Sequence, residues 1–143
     1  MSDRQVMITE LKRVVQPRLR ADKFAGTFPH FRRLGQDAID LITFQFDRNG
    51  GGFVIEIARC PSDGIVTAWG KHIPLDKVQA WDAHPNFRKR VKPRTGSGTD
   101  AWFRFDATNA SKVAAEVLLH LCQDGLWSDV KLACPDRTAE PKF

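Results

Sequence analysis

The strongest constraint on the fold is a hairpin turn near the middle of the chain. Residues 47–52 read Asp-Arg-Asn-Gly-Gly-Gly, and Asn-Gly supplies the positive φ angles that a tight turn between two strands requires. Apolar runs with strand composition lie on both sides, at Ala38–Phe46 and Phe53–Cys60. The second run alternates, with its Phe and Ile residues on one face and Glu56 on the other. The pattern predicts two long antiparallel strands.

Three further segments have strand character. A Gly-containing turn at residues 35–37 separates His30–Leu34 from the first long strand. The three consecutive strands therefore predict a meander. Phe87–Arg94 and Ala101–Phe105 predict two more strands, separated by a Gly- and Ser-rich loop. The chain therefore has about five strands, and the short connections of the first three favour antiparallel pairing.

Two segments have helical periodicity. Residues 3–21 predict an amphipathic helix with Ser2 as its N-cap, and Pro17 predicts a kink or an early end. Residues 110–124 carry an apolar stripe at helical spacing and predict a second helix. A short helix is also predicted over Pro74–Trp81, with the proline at its first position.

This order of elements favours an α+β fold. We expect an antiparallel sheet of about five strands, covered on one face by the N-terminal and C-terminal helices. A chain of 143 residues fits one domain that buries a core without disulfides. We assign the domain to residues 1–132 and expect residues 133–143 to form a frayed tail.

Positive charge is unevenly distributed along the chain, whose formal charge is +5. Residues 1–35 hold eight basic and three acidic side chains, and residues 87–104 hold six and one. Residues 36–86 and 105–143 are both net acidic. A partner responds to the local field, so the two basic segments are the places where an anion would bind.

The second basic segment predicts a one-sided row of cations. Even-numbered positions share one face of a strand, so Arg88, Arg90, Lys92 and Arg94 lie together with Val91 opposite. Such a row can bind phosphate or the carboxylates of a partner. Equally, charges and a proline at an edge strand protect it against aggregation. The residues alone leave both interpretations open.

Other candidates lie on the first three strands and near the end of the sheet. Of the neighbours Arg32 and Arg33, one must face the covered side of the sheet and needs a partner, for which Glu56 is a candidate in a structural ion pair. Gln45 is a polar residue between two phenylalanines and can line a pocket. We add Arg33, Gln45 and Trp102 to the candidate ligand-binding set, and interpret the acidic pair Asp37 and Asp40 at a turn as solubilising.

No catalytic or metal-binding pattern is found in the sequence. The four histidines have no metal-ligand spacing, no Cys-x-x-Cys occurs, and no Ser or Cys lies in a nucleophile elbow. We therefore expect no catalytic residues, no metal and no cofactor. Three cysteines favour a reducing compartment, and no apolar run has a membrane-spanning length or the character of a signal peptide. A cytoplasmic location without membrane association follows as an expectation.

Several short motifs resemble the bacterial family catalogued as domain of unknown function 4304. The family's pattern of a helix, a Gly-Phe, an aromatic-x-Arg strand, a strand ending in Gln and an Arg-Ile-Gly motif is similar to residues spread over 5–125. The matching positions are Lys23–Phe24, His30–Arg33, Ile42–Gln45, Gly52–Ile57, Arg90–Val91 and Asp100–Phe103. Departures from the family pattern are Lys23, Glu56, Lys92 and Phe103, which replace Gly, Asn, Gly and Trp. The resemblance implies an α+β domain of the bacterial cytoplasm and implies no activity.

Three functional hypotheses follow. The first is a non-catalytic binding domain for an acidic protein or an anionic small ligand, bound by the basic row of residues 88–94. The second is nucleic-acid binding through basic strands with interleaved aromatic residues, which the acidic segments and the lack of a known motif disfavour. The third is a hydrolase or transferase on a phosphorylated small molecule, which needs His30, His72 or His84 near the basic row. The sequence leaves the oligomeric state open.

Overall fold

The structure is a computed structural model. It describes most of the chain, and the statements below concern those residues. The described ranges are 2–36, 38–62, 64–66, 70–74, 77–83, 88–93, 101–123 and 126–127. The predicted tail at residues 133–143 and the domain end at residue 132 lie outside them.

Two consecutive helices begin the chain. Helix α1 spans Asp3–Val14 and α2 spans Gln16–Ala21, with the break at Val15. The predicted interruption near Pro17 is confirmed, since this proline occupies the first turn of α2, where its missing N–H is not needed. Ser2 caps α1 as predicted. Within the described residues, no helix is both long and apolar enough to span a bilayer.

The central part of the chain forms an antiparallel meander. Strands β2 (His30–Leu34) and β3 (Ala38–Phe46) have the predicted bounds, and β4 (Gly52–Pro61) extends the predicted strand by one residue at each end. Strand β1 (Ala25–Thr27), which the sequence analysis missed, pairs with β2. It is only three residues long, too short for an apolar alternation to be visible.

The hairpin between β3 and β4 forms where it was predicted, with a different turn geometry. The positive φ angles occur at Gly50 and Gly51, at 89° and 81°, and not at Asn49. Asp47 N–H donates to Gly52 O, and Gly50 N–H donates to Asp47 O. The loop therefore has four residues, 48–51, between the hydrogen-bonded Asp47 and Gly52, which is a common hairpin length. Gly50 and Gly51 supply its left-handed conformations.

The second half of the chain contains shorter elements than predicted. Strands β5 (Ile65–Val66) and β6 (His72–Ile73) form a separate small hairpin that the sequence analysis missed. The described residues of the segment Pro74–Trp81 do not form the predicted helix. They contain the start of a 3-10 turn, which spans Ala80–Asp82. Residues 75–76 lie outside the described part of the chain.

The last strands and the last helix follow. Strand β7 covers Arg88–Arg90 and β8 covers Phe103–Arg104, both shorter than predicted. Helix α3 spans Ala110–Leu121 and ends three residues before the predicted end. Strands β7 and β8 both pair with the outer side of β4, so the main sheet has the order β1-β2-β3-β4-β7, with β8 next to β7 on β4.

The two faces of the sheet bury two separate apolar clusters. One face packs under α1 and α3, which also pack against each other, and its cluster includes Met7, Phe53 and Val117. On the opposite face, the segment 77–83 covers a smaller cluster that includes Ile39 and Cys60. The α+β fold with a sheet of five to six strands and a helix from each end of the chain is therefore confirmed.

Candidate functional site

A buried carboxylate joins the edge strand β7 to the centre of the sheet. Glu56 lies on β4, on the face opposite to α1 and α3, and its side chain is only 6% exposed. Arg88 Nη1 donates to Glu56 Oε1 at 3.1 Å, and Arg90 Nε donates to Glu56 Oε2 at 3.1 Å. Each carboxylate oxygen thus accepts from one arginine, which satisfies a charge that burial would otherwise make costly.

The same two arginines line a groove at the edge of the sheet. The groove has a volume of about 550 Å³ and lies between β7, the residues that follow it, and the C-terminal end of α3. One carboxylate is shared by two guanidinium groups, so the ion pairs leave an excess of positive charge. The exposed Lys92 adds to it. The described lining residues are Arg88, Lys89, Arg90, Val91, Lys92, His120, Gln123 and Leu126.

The basic row forms only in part as predicted. Arg88 and Arg90 share one face, and Val91 is buried in the cluster under the helices on the other. The strict alternation stops because β7 ends at Arg90, but the exposed Lys92 still lines the groove. Arg94 lies outside the described residues. The prediction of an edge strand is confirmed for the described part of the sheet, in which β7 is a terminal strand.

Arg33 lies on the opposite face from Arg88 and Arg90. The predicted pairing of Arg32 or Arg33 with Glu56 is wrong, because Arg32 Nη2 donates to Val78 O at 3.0 Å and Arg33 pairs with Asp40. Its Nε and Nη2 donate to Asp40 Oδ2 at 3.0 and 2.7 Å, and Arg59 Nε donates to Asp40 Oδ1 at 2.8 Å. Asp40 is therefore no solubilising turn residue, since it occupies the third position of β3 and faces α1 and α3. The cross-strand register puts all three charges side by side.

The rings of Phe24 and Trp127 pack against the two arginines that bind Asp40. The Arg33 guanidinium lies 4.5 Å from the centre of the Phe24 ring and 5.8 Å from that of Trp127. The Arg59 guanidinium lies 5.6 Å from the Trp127 ring. These contacts attach the segment that follows α3 to the sheet, so we interpret Arg33 as a structural residue.

Gln45 and Trp102 share the face of Glu56 but do not line the groove. Gln45 pairs with Val54 in the β3–β4 register and has an exposed side chain. Trp102 lies beside Gly52, and the Arg104 guanidinium lies 5.5 Å from the centre of its ring. The structure thus separates the candidate residues into the groove, the Asp40 cluster and the far end of the sheet.

The histidine that lines the groove is His120, on α3. Its Nε2 lies 3.2 Å from Glu116 Oε2, one helical turn earlier, and its ring contacts Phe103 edge to face. Among the described residues, His30 and His72 do not line the groove, and His84 lies outside the described ranges. The i to i+4 spacing of Glu116 and His120 was visible in the sequence, but their position beside β7 was not.

His30 lies on the face of the sheet opposite to α1 and α3, which we call the second face. It contacts the segment 77–83 that covers this face. Its Nδ1 lies 3.1 Å from Thr43 Oγ1, which also accepts the Ala80 N–H, and Trp81 contacts its ring edge to face. Burial lowers the pKa of His30 below its ordinary value, Asp82 opposes this shift, and Arg32 adds to it. The folded protein therefore favours the neutral imidazole.

One of three comparisons with known proteins gave a match. The model of the family described as "Domain of unknown function (DUF4304)" matches residues 15–128. This match confirms the resemblance derived from the short motifs. The searches of curated proteins and of solved structures found no match.

The Glu56 ion pairs predict that two similar substitutions lower the free energy of unfolding by different amounts. Glu56→Gln removes the charge that two half-buried arginines share and should lower the free energy of unfolding by about 2 kcal/mol. The matched control is Glu10→Gln, which breaks a pair with Arg13 on the exposed face of α1. Chemical denaturation of both variants measures the difference. Equal, small losses for the two variants would contradict the structural role of Glu56.

The shifted pKa of His30 predicts a pH dependence of stability. As the pH falls below the ordinary histidine pKa of about 6.5, the unfolded chain takes up a proton at His30 before the folded protein does. Stability should therefore decrease from pH 7 towards pH 5, and His30→Gln should make this decrease shallower. Denaturation midpoints across this range test it, and identical slopes for both proteins would contradict it.

Proposed function

The chain belongs to the family of the domain of unknown function DUF4304, and we propose that it is a non-catalytic binding domain for an anionic ligand. The site is the groove beside β7, and the class of ligand that fits it best is an acidic segment of a protein partner. The observation that carries the proposal is that Arg88, Lys89, Arg90 and Lys92 all line one groove.

The charge of the groove supports an anionic ligand. Arg90 is 46% exposed although its Nε is bound to Glu56, and Lys92 is exposed. Coulomb attraction at such a surface draws a polyanion towards the groove and weakens with salt. Carboxylates of a flexible segment can bind several of these cations in turn, so an acidic stretch of a partner suits the extended arrangement better than a single compact charge.

The anchoring of β7 supports a preformed site. Val91 is buried under the helices, and its N–H donates to Ile55 O at 2.9 Å. Together with the Glu56 ion pairs, this bond fixes the backbone between the basic side chains. A ligand then meets cations whose backbone is already ordered, which lowers the entropy cost of binding.

The proposal also includes a cellular setting. We infer a bacterial protein from the family resemblance, and a cytoplasmic one because Cys60 is a buried thiol and Cys122 is a half-buried thiol, as is common in reducing compartments. In this proposal Arg88, Arg90, Lys92 and Arg94 bind the ligand. Lys89 joins this set because it lines the groove.

The proposal predicts a loss of binding when the two lysines of the groove change sign. Lys89→Glu with Lys92→Glu should weaken binding of a fluorescein-labelled hexaglutamate peptide at least about tenfold at low ionic strength. The arginines are left unchanged because both bind Glu56, so that replacing them would disturb the fold. Fluorescence anisotropy at low and at physiological ionic strength measures the effect.

The matched control is Lys112→Glu, which reverses a charge on the exposed face of α3. It should retain nearly the affinity of the unaltered protein for the peptide. An equal loss in both variants, or unchanged binding in the double variant, would contradict the groove as the site. A random oligonucleotide that binds more tightly than the peptide, with a steep salt dependence, would support nucleic-acid binding instead.

A further inference from the structure

A second cleft opens where β3 extends beyond β2. The last pair of the β2–β3 register is His30 with Thr43, while β3 continues to Phe46. Phe44 N–H donates to Pro29 O at 2.9 Å, and the backbone of Phe46 faces the same side by the alternation of an antiparallel strand. The polar backbone edge of β3 therefore forms part of the cleft.

Helix α1 supplies one wall of this cleft. Arg4, Ile8 and Lys12 are spaced four residues apart, so they form one stripe along the helix. Trp81, from the segment that covers the second face, lies on the opposite side. The volume is about 490 Å³, within the range of small-molecule sites. The described lining residues are Arg4, Ile8, Lys12, Phe28, Pro29, Phe44, Gln45, Phe46 and Trp81.

Flat aromatic rings form much of the lining. The centre of the Phe28 ring lies 5.1 Å from that of Phe44 and 6.2 Å from that of Phe46. Trp81 is 42% exposed, one of the few large apolar side chains in the described part of the chain that remains open to solvent. Rings in this arrangement stack favourably on another planar ring. An aliphatic group of equal size gains only the free energy of burying its apolar surface.

The polar groups of the cleft favour a negative charge. Arg4 and Lys12 are exposed cations, and the Arg4 guanidinium lies 5.3 Å from the centre of the Phe46 ring. The exposed amide of Gln45 can donate hydrogen bonds. The lining residues that the structure describes include no carboxylate. The acidic side chain nearest in the chain to Trp81, Asp82, accepts the Gln79 N–H at 2.8 Å.

We propose that this cleft binds a planar aromatic anion, a small molecule of one or two fused rings that carries a carboxylate or a phosphate. The ring lies between the phenylalanines and Trp81, and the charge lies towards Arg4 and Lys12. The cleft shares no described lining residue with the groove beside β7, so this site is independent of the proposed function.

Calorimetric titration of the full chain with three probes tests the proposal. Naphthoate supplies both the planar ring and the charge, cyclohexanecarboxylate lacks the planar ring, and naphthalenemethanol lacks the charge. Naphthoate should bind at least about fivefold more tightly than either of the other two. Absence of naphthoate binding at millimolar concentration, or equal binding of cyclohexanecarboxylate, would overturn the proposal.

Two substitutions locate the site. Gln45→Glu is nearly isosteric and adds a negative charge, and Lys12→Gln removes a positive one; both residues are exposed, so the fold should be unaffected. Each should weaken naphthoate binding about fivefold or more. Lys112→Gln on α3 is the matched control and should leave binding unchanged. Wild-type affinity in both cleft variants, or an equal loss in the control, would overturn the assignment to this cleft.

Discussion

The arrangement of the second face depends on one buried carboxylate, that of Glu56. Without it, Arg88 and Arg90 would place two positive charges side by side on a short edge strand, where they repel each other and have little area to bury. With it, each guanidinium has a fixed acceptor at 3.1 Å, and β7 is held against the centre of β4. Arg88 Nη1 also donates to Trp81 O at 3.0 Å, which connects the edge strand to the segment that covers this face.

The opposite face uses the same device at Asp40. There too a single carboxylate is shared by two arginines, Arg33 and Arg59, which come from the strands on either side of it. Such buried ion pairs contribute less to stability than an apolar replacement could, but they are satisfied in only one register of the strands. The two carboxylates therefore favour the observed alignment of β2, β3, β4 and β7, together with the apolar alternation of the strands, and the apolar clusters supply most of the stabilising free energy.

Local patterns in the sequence predicted the local parts of this structure. The meander β2–β4 follows from alternation and turn glycines, and the break at Val15 follows from Pro17. What could not be predicted depends on contacts between distant residues. The partner of Arg33 is set by the β2–β3 register, and the covering of the second face depends on a segment whose irregular path has no periodicity. Nothing in a single strand shows which carboxylate its arginines will meet.

Only the strand side of the candidate groove was predictable from the sequence, for the same reason. The one-sided placement of Arg88 and Arg90 is a local property of a strand, but the second wall, formed by His120 and Gln123 at the end of α3, is a long-range one. Charge counting along the chain located the basic segment correctly. It could not show that a single carboxylate would be shared there, which both lowers the net charge and orders the backbone.

Native-state hydrogen exchange at the Val91 amide tests the role of Glu56 most directly, since this N–H is bound to Ile55 O only while β7 is in place. The account predicts that Glu56→Gln accelerates exchange at Val91 by more than it accelerates exchange at amides in the β3–β4 pairing, because the edge strand opens locally. Equal acceleration at all these amides, or none at Val91, would show that β7 is ordered without the carboxylate and would contradict the account.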